Sequence, residues 1–105
     1  MKQEVFCWDF GIHASCVVVE ITEGEPPRAT RYAKNGLTTD TFAHYILLCV
    51  MSHDFGPKDT LHIIDPADNQ RPHDGSPTAV EVIRKHFGND LPHMPPIVMT
   101  RNRHG

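Results

Sequence analysis

The segment that most constrains the fold lies near the start of the chain, at residues 4–11. Its sequence, Glu-Val-Phe-Cys-Trp-Asp-Phe-Gly, is apolar at most positions and ends on an aspartate shortly before a glycine. A strand places alternate side chains on opposite faces, here Val5, Cys7 and Asp9 on one and Phe6, Trp8 and Phe10 on the other. Because both sets are largely apolar, we predict a central strand that is covered on both sides.

A second segment, residues 60–65, has the same form: a short apolar strand that delivers Asp65 at its end, just before Pro66. If the two strands lie side by side, Asp9 and Asp65 meet at one edge of the sheet. Hard divalent cations prefer oxygen ligands, so this pair is a candidate metal site. The alternative is that both aspartates only form turns at the ends of their strands.

Three more strands are predicted from composition and turn signals. Residues 14–22 are rich in β-branched side chains and follow the first strand closely, which favours an antiparallel hairpin. Residues 28–34 are more polar, as expected of an edge strand, and residues 97–100 form a short apolar run.

Two helices are predicted between the later strands. Residues 40–53 follow two threonines suited to an N-cap and carry an apolar stripe at helical spacing: Phe42, Tyr45, Ile46, Cys49, Val50 and His53, widened by Leu47 and Leu48. In the second helix, Ser76 is the predicted N-cap and Pro77 the first helical residue. The apolar face of this helix comprises Ala79, Val80, Ile83 and Phe87.

The resulting order, β-β-β-α-β-α-β, predicts an α/β domain over residues 1–105 with a five-stranded mixed sheet and two helices. A strand–helix–strand connection within one sheet is normally a parallel crossover. We therefore expect the first three strands to be antiparallel neighbours and the last two to run parallel to the first. Helices are expected to cover the faces of the sheet.

Charge and cysteine content narrow the classes of function. The net charge of −3 disfavours a protein built mainly to coat nucleic acid. No apolar run approaches the roughly 20 residues that span a bilayer, and the first residues lack the apolar region of a signal peptide. Three cysteines in apolar contexts, with no C-x-x-C pair, are expected to be free thiols in the cytoplasm.

The order of elements resembles that of the ribonuclease H-like superfamily, which includes ribonuclease H and the cores of many transposases and resolvases. Residues 4–11 are similar to the family's first strand, and residues 60–65 to its fourth strand, which also ends in a catalytic aspartate. Thr38 and the helix after it resemble the start of the first family helix. Residues 98–104 are similar to the last strand and a basic loop containing histidine.

The resemblance implies phosphodiester cleavage by two divalent cations, Mg²⁺ or Mn²⁺, held by three or four carboxylates. Asp9 and Asp65 match two of these positions, as catalytic residues and metal ligands, and Asp68 is a candidate third ligand. The first helix has Ala43 and His44 where the family offers a glutamate, and His44 either faces the site or packs against the sheet. The sequence also has no final family helix, which carries the last carboxylate.

Partner contacts are predicted at two polar stretches. The loop at residues 67–75 contributes Arg71 and His73, and its aspartates, Asp68 and Asp74, are expected to form Asx turns unless they bind metal. The last residues contribute Arg101, Arg103 and His104, which could touch phosphates. The third and fifth strands are predicted edges, and the missing final helix would leave part of one sheet face bare. A homodimer or a partner protein would cover these surfaces.

Two functions are therefore open. The favoured one is a non-catalytic or degenerate ribonuclease H-like domain that binds a protein or nucleic-acid partner, as an adaptor or inhibitor of the kind that phages and mobile elements often encode. The alternative is a metal-dependent nuclease that uses Asp9 and Asp65.

Overall fold

The computed structural model describes residues 2–51, 60–69, 73–87 and 97–99. Its elements in chain order are β1 (Lys2–Asp9), β2 (His13–Thr22), β3 (Arg28–Asn35), α1 (Thr39–Val50), β4 (Thr60–Ile64), a short 3-10 helix (Pro66–Asn69), α2 (Ala79–Phe87) and β5 (Ile97–Met99). The predicted α/β class, with a mixed sheet and two helices, is confirmed.

The strands lie in the order β3-β2-β1-β4-β5, so β1 is central. β1 and β2 are antiparallel, as are β2 and β3, whereas β4 runs parallel to β1. These four strands form the body of the sheet. β5 adds three residues that pair in parallel with β4.

One face of the sheet, the covered face, carries a row of stacked aromatic rings from β1 and from the residue that follows it, Phe10. The ring centroids of Phe6 and Trp8 are 6.0 Å apart, and those of Trp8 and Phe10 are 5.2 Å apart. Phe42 of α1 and Phe87 of α2 both meet Trp8 edge-on, at 6.1 and 5.7 Å. Both helices therefore pack on this face, and the expectation that they cover both faces is wrong.

The opposite face, here the open face, carries the alternate residues of the same strands. Register places Val19, Val5 and Leu61 in one row across β2, β1 and β4, and Val17, Cys7 and Ile63 in the next. All six of these residues, together called the apolar patch, are half-buried. In the described part of the chain, neither helix packs on them. β1 is thus central in the sheet, and the described helices cover only one of its two sides.

Helix α1 begins at its predicted cap. The Thr38 hydroxyl oxygen accepts a hydrogen bond from the Thr41 backbone N–H at 3.1 Å. The buried residues of the helix are Phe42, Ala43, Ile46 and Val50. Leu48, predicted to widen the apolar stripe, is 53% exposed because it points away from the sheet. Position 53 lies outside the described residues.

Helix α2 begins later than predicted. Thr78 rather than Ser76 caps it, since the Glu81 N–H donates to the Thr78 hydroxyl at 3.3 Å. Ser76 instead donates both its backbone N–H and its hydroxyl to Asp74 Oδ1, at 2.9 and 2.6 Å. The buried face also includes Val82, which is not part of the predicted apolar face. Neither this helix nor any other in the described ranges is long and apolar enough to cross a membrane.

Candidate functional site

The two strand-end aspartates lie on neighbouring strands, as predicted. In the parallel register of β1 and β4, Cys7 pairs with Ile63. Two residues further along each strand are Asp9 and Asp65, so both aspartates follow the paired segment at the same end of the sheet. This placement is the geometric basis of the candidate carboxylate site.

The two carboxylates have different surroundings. Asp9 is exposed, and strand alternation puts it on the open face beside Cys7. Asp65 is half-buried, and its Oδ1 accepts a hydrogen bond from the Ala67 backbone N–H at 2.9 Å. This hydrogen bond stabilises the turn between β4 and the 3-10 helix. Asp65 therefore forms a turn at the end of its strand, as the alternative interpretation predicted.

A third ligand is needed for the chemistry that the family resemblance implies. Asp68 belongs to the 3-10 helix, but its side chain lies outside the described residues. Among the His, Cys, Asp and Glu side chains that are described, no group of three or more could hold a metal ion. The metal site at Asp9, Asp65 and Asp68 stays a prediction.

The loop before α2 places Asp74 in an Asx turn, as predicted, because its Oδ1 accepts the Ser76 N–H. The hydrogen bonds from Ser76 hold the pKa of Asp74 below its usual range. His73 precedes it and is exposed. The other predicted partner contacts, Arg71, Arg101, Arg103 and His104, lie outside the described residues.

A buried histidine lies at the centre of the covered face. Trp8 Nε1–H donates to His62 Nδ1 at 2.9 Å, so neutral His62 carries its proton on Nε2. That Nε2 atom is buried and has no hydrogen-bond partner among the described residues. Burial lowers the pKa of His62 to about 3. Alternation along β4 could have found this residue, because it faces the same way as Thr60 and Ile64.

A second buried polar side chain that was not predicted is the carboxylate of Glu4. It is 2% exposed on the covered face and lies directly across from Glu20 of β2 in the antiparallel register. Nearby, burial raises the pKa of Cys16, and electrostatic interactions with Cys7 and Glu4 raise it further. All three cysteines are free thiols, of which Cys16 is buried and the other two are half-buried.

The outer surface of the helices carries a polar bridge. Asp40 of α1 accepts hydrogen bonds from Lys85 and His86 of α2, each at 3.0 Å. The bond from Lys85, and then that from His86, lowers the pKa of Asp40. The His44 ring lies 5.4 Å from that of His86 and is exposed. His44 therefore does not pack against the sheet, and that expectation is wrong, whereas a position facing the strand-end aspartates stays a prediction.

Two opposite charges border the apolar patch on the open face. Arg31 of β3 is in register with Val17 and is exposed, and Asp9 lies one strand further on, beyond Cys7. Position 21, at the other end of β2, is an isoleucine that is 39% exposed. The described part of the open face thus combines apolar side chains at its centre with Arg31 and Asp9 at its margins.

Comparisons with known proteins do not assign this chain. No family model matches it, and no curated protein sequence matches it.

Proposed function

We propose that this chain is a non-catalytic domain of ribonuclease H-like order that acts by binding a partner protein through the open face. The strand order supports the fold part of this proposal, since three antiparallel strands are followed by two that run parallel to β1. By analogy with other small proteins that bind larger protein complexes, we expect this chain to act as an adaptor or an inhibitor.

The observation that carries the proposal is the apolar patch. Six half-buried apolar side chains lie together at the centre of a sheet face, and the described helices pack elsewhere. Association that removes such a surface from water is favourable. An apolar centre with charged residues at its margin is also the usual composition of a protein–protein interface.

The free thiol of Cys7 tests the proposal directly, because it lies in the middle row of the apolar patch. Cys49, half-buried on α1, is an internal reference on the other side of the sheet. We expect alkylation of Cys7, measured by mass spectrometry, to slow several-fold when a partner covers the open face. The rate at Cys49 should not change. The protein would be probed in dilute buffer, at high protein concentration, and in extract of the cells that express it.

Two variants make the result specific to the open face. Val17→Lys places a charge inside the apolar patch and should abolish the protection of Cys7. Leu48→Lys introduces the same charge at an exposed position on α1 and should leave the protection intact. If the ratio of Cys7 to Cys49 alkylation is the same under all three conditions, the open face binds nothing and the proposal is wrong.

A second candidate function is metal-dependent nuclease activity, which is favoured by one observation. Asp9 ends β1 and Asp65 follows the neighbouring parallel strand β4 at the same end of the sheet. Two carboxylates there would hold Mg²⁺ or Mn²⁺, which would activate a water for attack on phosphorus and stabilise the leaving oxygen. Asp68 or a partner subunit would have to supply further ligands.

The nuclease candidate is tested with RNA–DNA hybrid and single-stranded substrates in Mg²⁺ or Mn²⁺. The wild type would be compared with Asp9→Asn, which removes a ligand, and with Asp74→Asn, which makes the same change in a loop where asparagine can still accept the Ser76 N–H. Cleavage that is lost only in Asp9→Asn would replace the binding proposal. No cleavage, together with no metal-dependent rise in melting temperature, would eliminate the nuclease.

A further inference from the structure

The two charges beside the apolar patch have no ion partner within the described part of their own chain. Arg31 and Asp9 are both exposed and belong to none of its ion pairs. They are separated by β2 and by two positions along the strands, which in ideal sheet geometry is about 12 Å between Cα atoms. Each could pair with an opposite charge on another molecule without first breaking an existing bond.

We propose that the open face binds a second copy of this chain, with Arg31 of each copy opposite Asp9 of the other. This rests on the proposed function, since it names the partner of the same surface. Strands lie about 4.8 Å apart and residues about 3.3 Å apart along them. A two-fold axis in the plane of the interface, equidistant from Arg31 and Asp9, then passes close to Val5.

With the axis in this position, the apolar patches of the two copies also face each other. This position sets Val19 of one copy opposite Ile63 of the other, and the reverse contact follows from symmetry. The two apolar patches therefore superimpose when the two ion pairs form. The open face is complementary to a second copy of itself because it carries a cation on one side of the axis and an anion on the other. Two copies of a face with charges of one sign would repel each other.

The edge of the sheet is a poorer site for self-association, although the sequence favoured it. β3 is an edge strand and carries three cations, Arg28, Arg31 and Lys34. Pairing two β3 edges would bring these like charges together, which is destabilising, and cationic side chains on an edge are a common protection against such pairing. The open face avoids this repulsion.

The size of the open face predicts a weak dimer. Four strands about 4.8 Å apart and a length of about 20 Å give a surface of about 400 Å² on each copy, or about 800 Å² in the pair. This is below the range of about 1,200–2,000 Å² for stable specific interfaces and is in the range of weak, transient association. We expect dissociation constants in the range of about 1–100 µM rather than a permanent dimer.

Sedimentation equilibrium between about 1 µM and about 1 mM tests the proposal. The wild type should change from monomer to dimer over this range. Arg31→Asp places carboxylates opposite carboxylates, and Asp9→Arg places guanidinium groups opposite guanidinium groups. Each single change should raise the dissociation constant by about tenfold or more. The variant with both changes restores opposite charges and should return the constant close to that of the wild type.

Arg84→Asp is the matched control, since it is an equal charge reversal at an exposed position on α2 and should leave dimerisation unchanged. Circular dichroism would verify that each variant is folded, which is expected because all three positions are exposed. Three results would overturn the proposal: a wild type that stays monomeric, single variants that dimerise as strongly as the wild type, or a double variant that is not restored.

The alkylation experiment separates failure of this inference from failure of the proposed function. If Cys7 is protected in cell extract but not at high concentration of the pure protein, the open face binds a different protein and only the self-association is wrong. If Cys7 is protected in neither, both are wrong.

Discussion

The two faces of the sheet are built from alternate residues of the same strands, yet they have opposite environments. Val18 on the covered face is 1% exposed, while Val19, the next residue of β2, is half-buried on the open face. On β1, Trp8 is buried between two helices, and its neighbour Asp9 is exposed. Apolar composition is thus shared between a packed core and the half-buried apolar patch of the open face. Strand periodicity divides the residues into two sets, but it does not decide which set is covered.

The two faces should differ most in the free energy of unfolding that is lost when a large side chain is truncated to alanine. Phe42→Ala removes a fully buried ring that meets Trp8, and should lower the free energy of unfolding by about 3–5 kcal/mol. Leu61→Ala, in the apolar patch, should cost about 1 kcal/mol because its side chain is only partly removed from water. Urea denaturation followed by circular dichroism measures both. Equal losses would mean that the open face is packed within the chain.

A sharper comparison uses the same substitution at adjacent positions. Val18→Ala should lower the free energy of unfolding by about 2 kcal/mol, from lost burial and an unfilled cavity, and Val19→Ala by less than about 1 kcal/mol. Both would be measured at a concentration where the protein is monomeric. If the order were reversed, the assignment of covered and open faces on β2 would be wrong.

A smaller effect, the change in stability per pH unit, is expected from the His62 imidazole, which is buried in the covered face. Burial lowers the pKa of His62 from 6.5 to about 3. Between these values the unfolded chain binds a proton that the folded chain does not. The stability contributed by neutral His62 is therefore complete above about pH 6.5 and falls by up to about 1.4 kcal/mol per pH unit as the pH decreases toward 3.

The variant His62→Gln checks this dependence, because an amide oxygen can still accept the Trp8 N–H but does not titrate in this range. Denaturation at pH 7.5, 6 and 5 should show a steeper loss for the wild type than for the variant. Parallel pH profiles would contradict the assignment. The open face has no buried titratable group among its described residues that would add a comparable slope.

The sequence was sufficient for most of the elements and for the position of β1 in the sheet. Alternation along residues 4–11 located the central strand, and the β-branched segment after it correctly indicated a hairpin. The threonine cap of α1 was also correct, because its hydroxyl accepts a local bond that depends on nothing distant. Features fixed by neighbouring residues were therefore predictable.

The wrong predictions are of two kinds. In one, two nearby residues could serve the same local role; in the other, the structure depends on contacts between residues far apart in sequence. Ser76 and Thr78 can both cap α2, and Asp74 decides between them by binding Ser76. The placement of both helices on one face follows from how their side chains pack around Trp8, 34 positions away from Phe42 in sequence. For the same reason the aspartates could be located at their strand ends, but their distinct environments could not be predicted.

Trp8 is the single tryptophan of the chain and lies wholly on the covered face. Its indole is shielded from water, stacks 5.2 Å from Phe10 and donates a hydrogen bond to a neutral imidazole. When the protein is excited at the long-wavelength edge of its absorption, the fluorescence comes from Trp8. It therefore reports on the covered face and not on the open face. Emission at short wavelength that stays constant across dimerisation would identify association that leaves the core undisturbed. A shift to longer wavelength, by contrast, would mark opening of the helical layer.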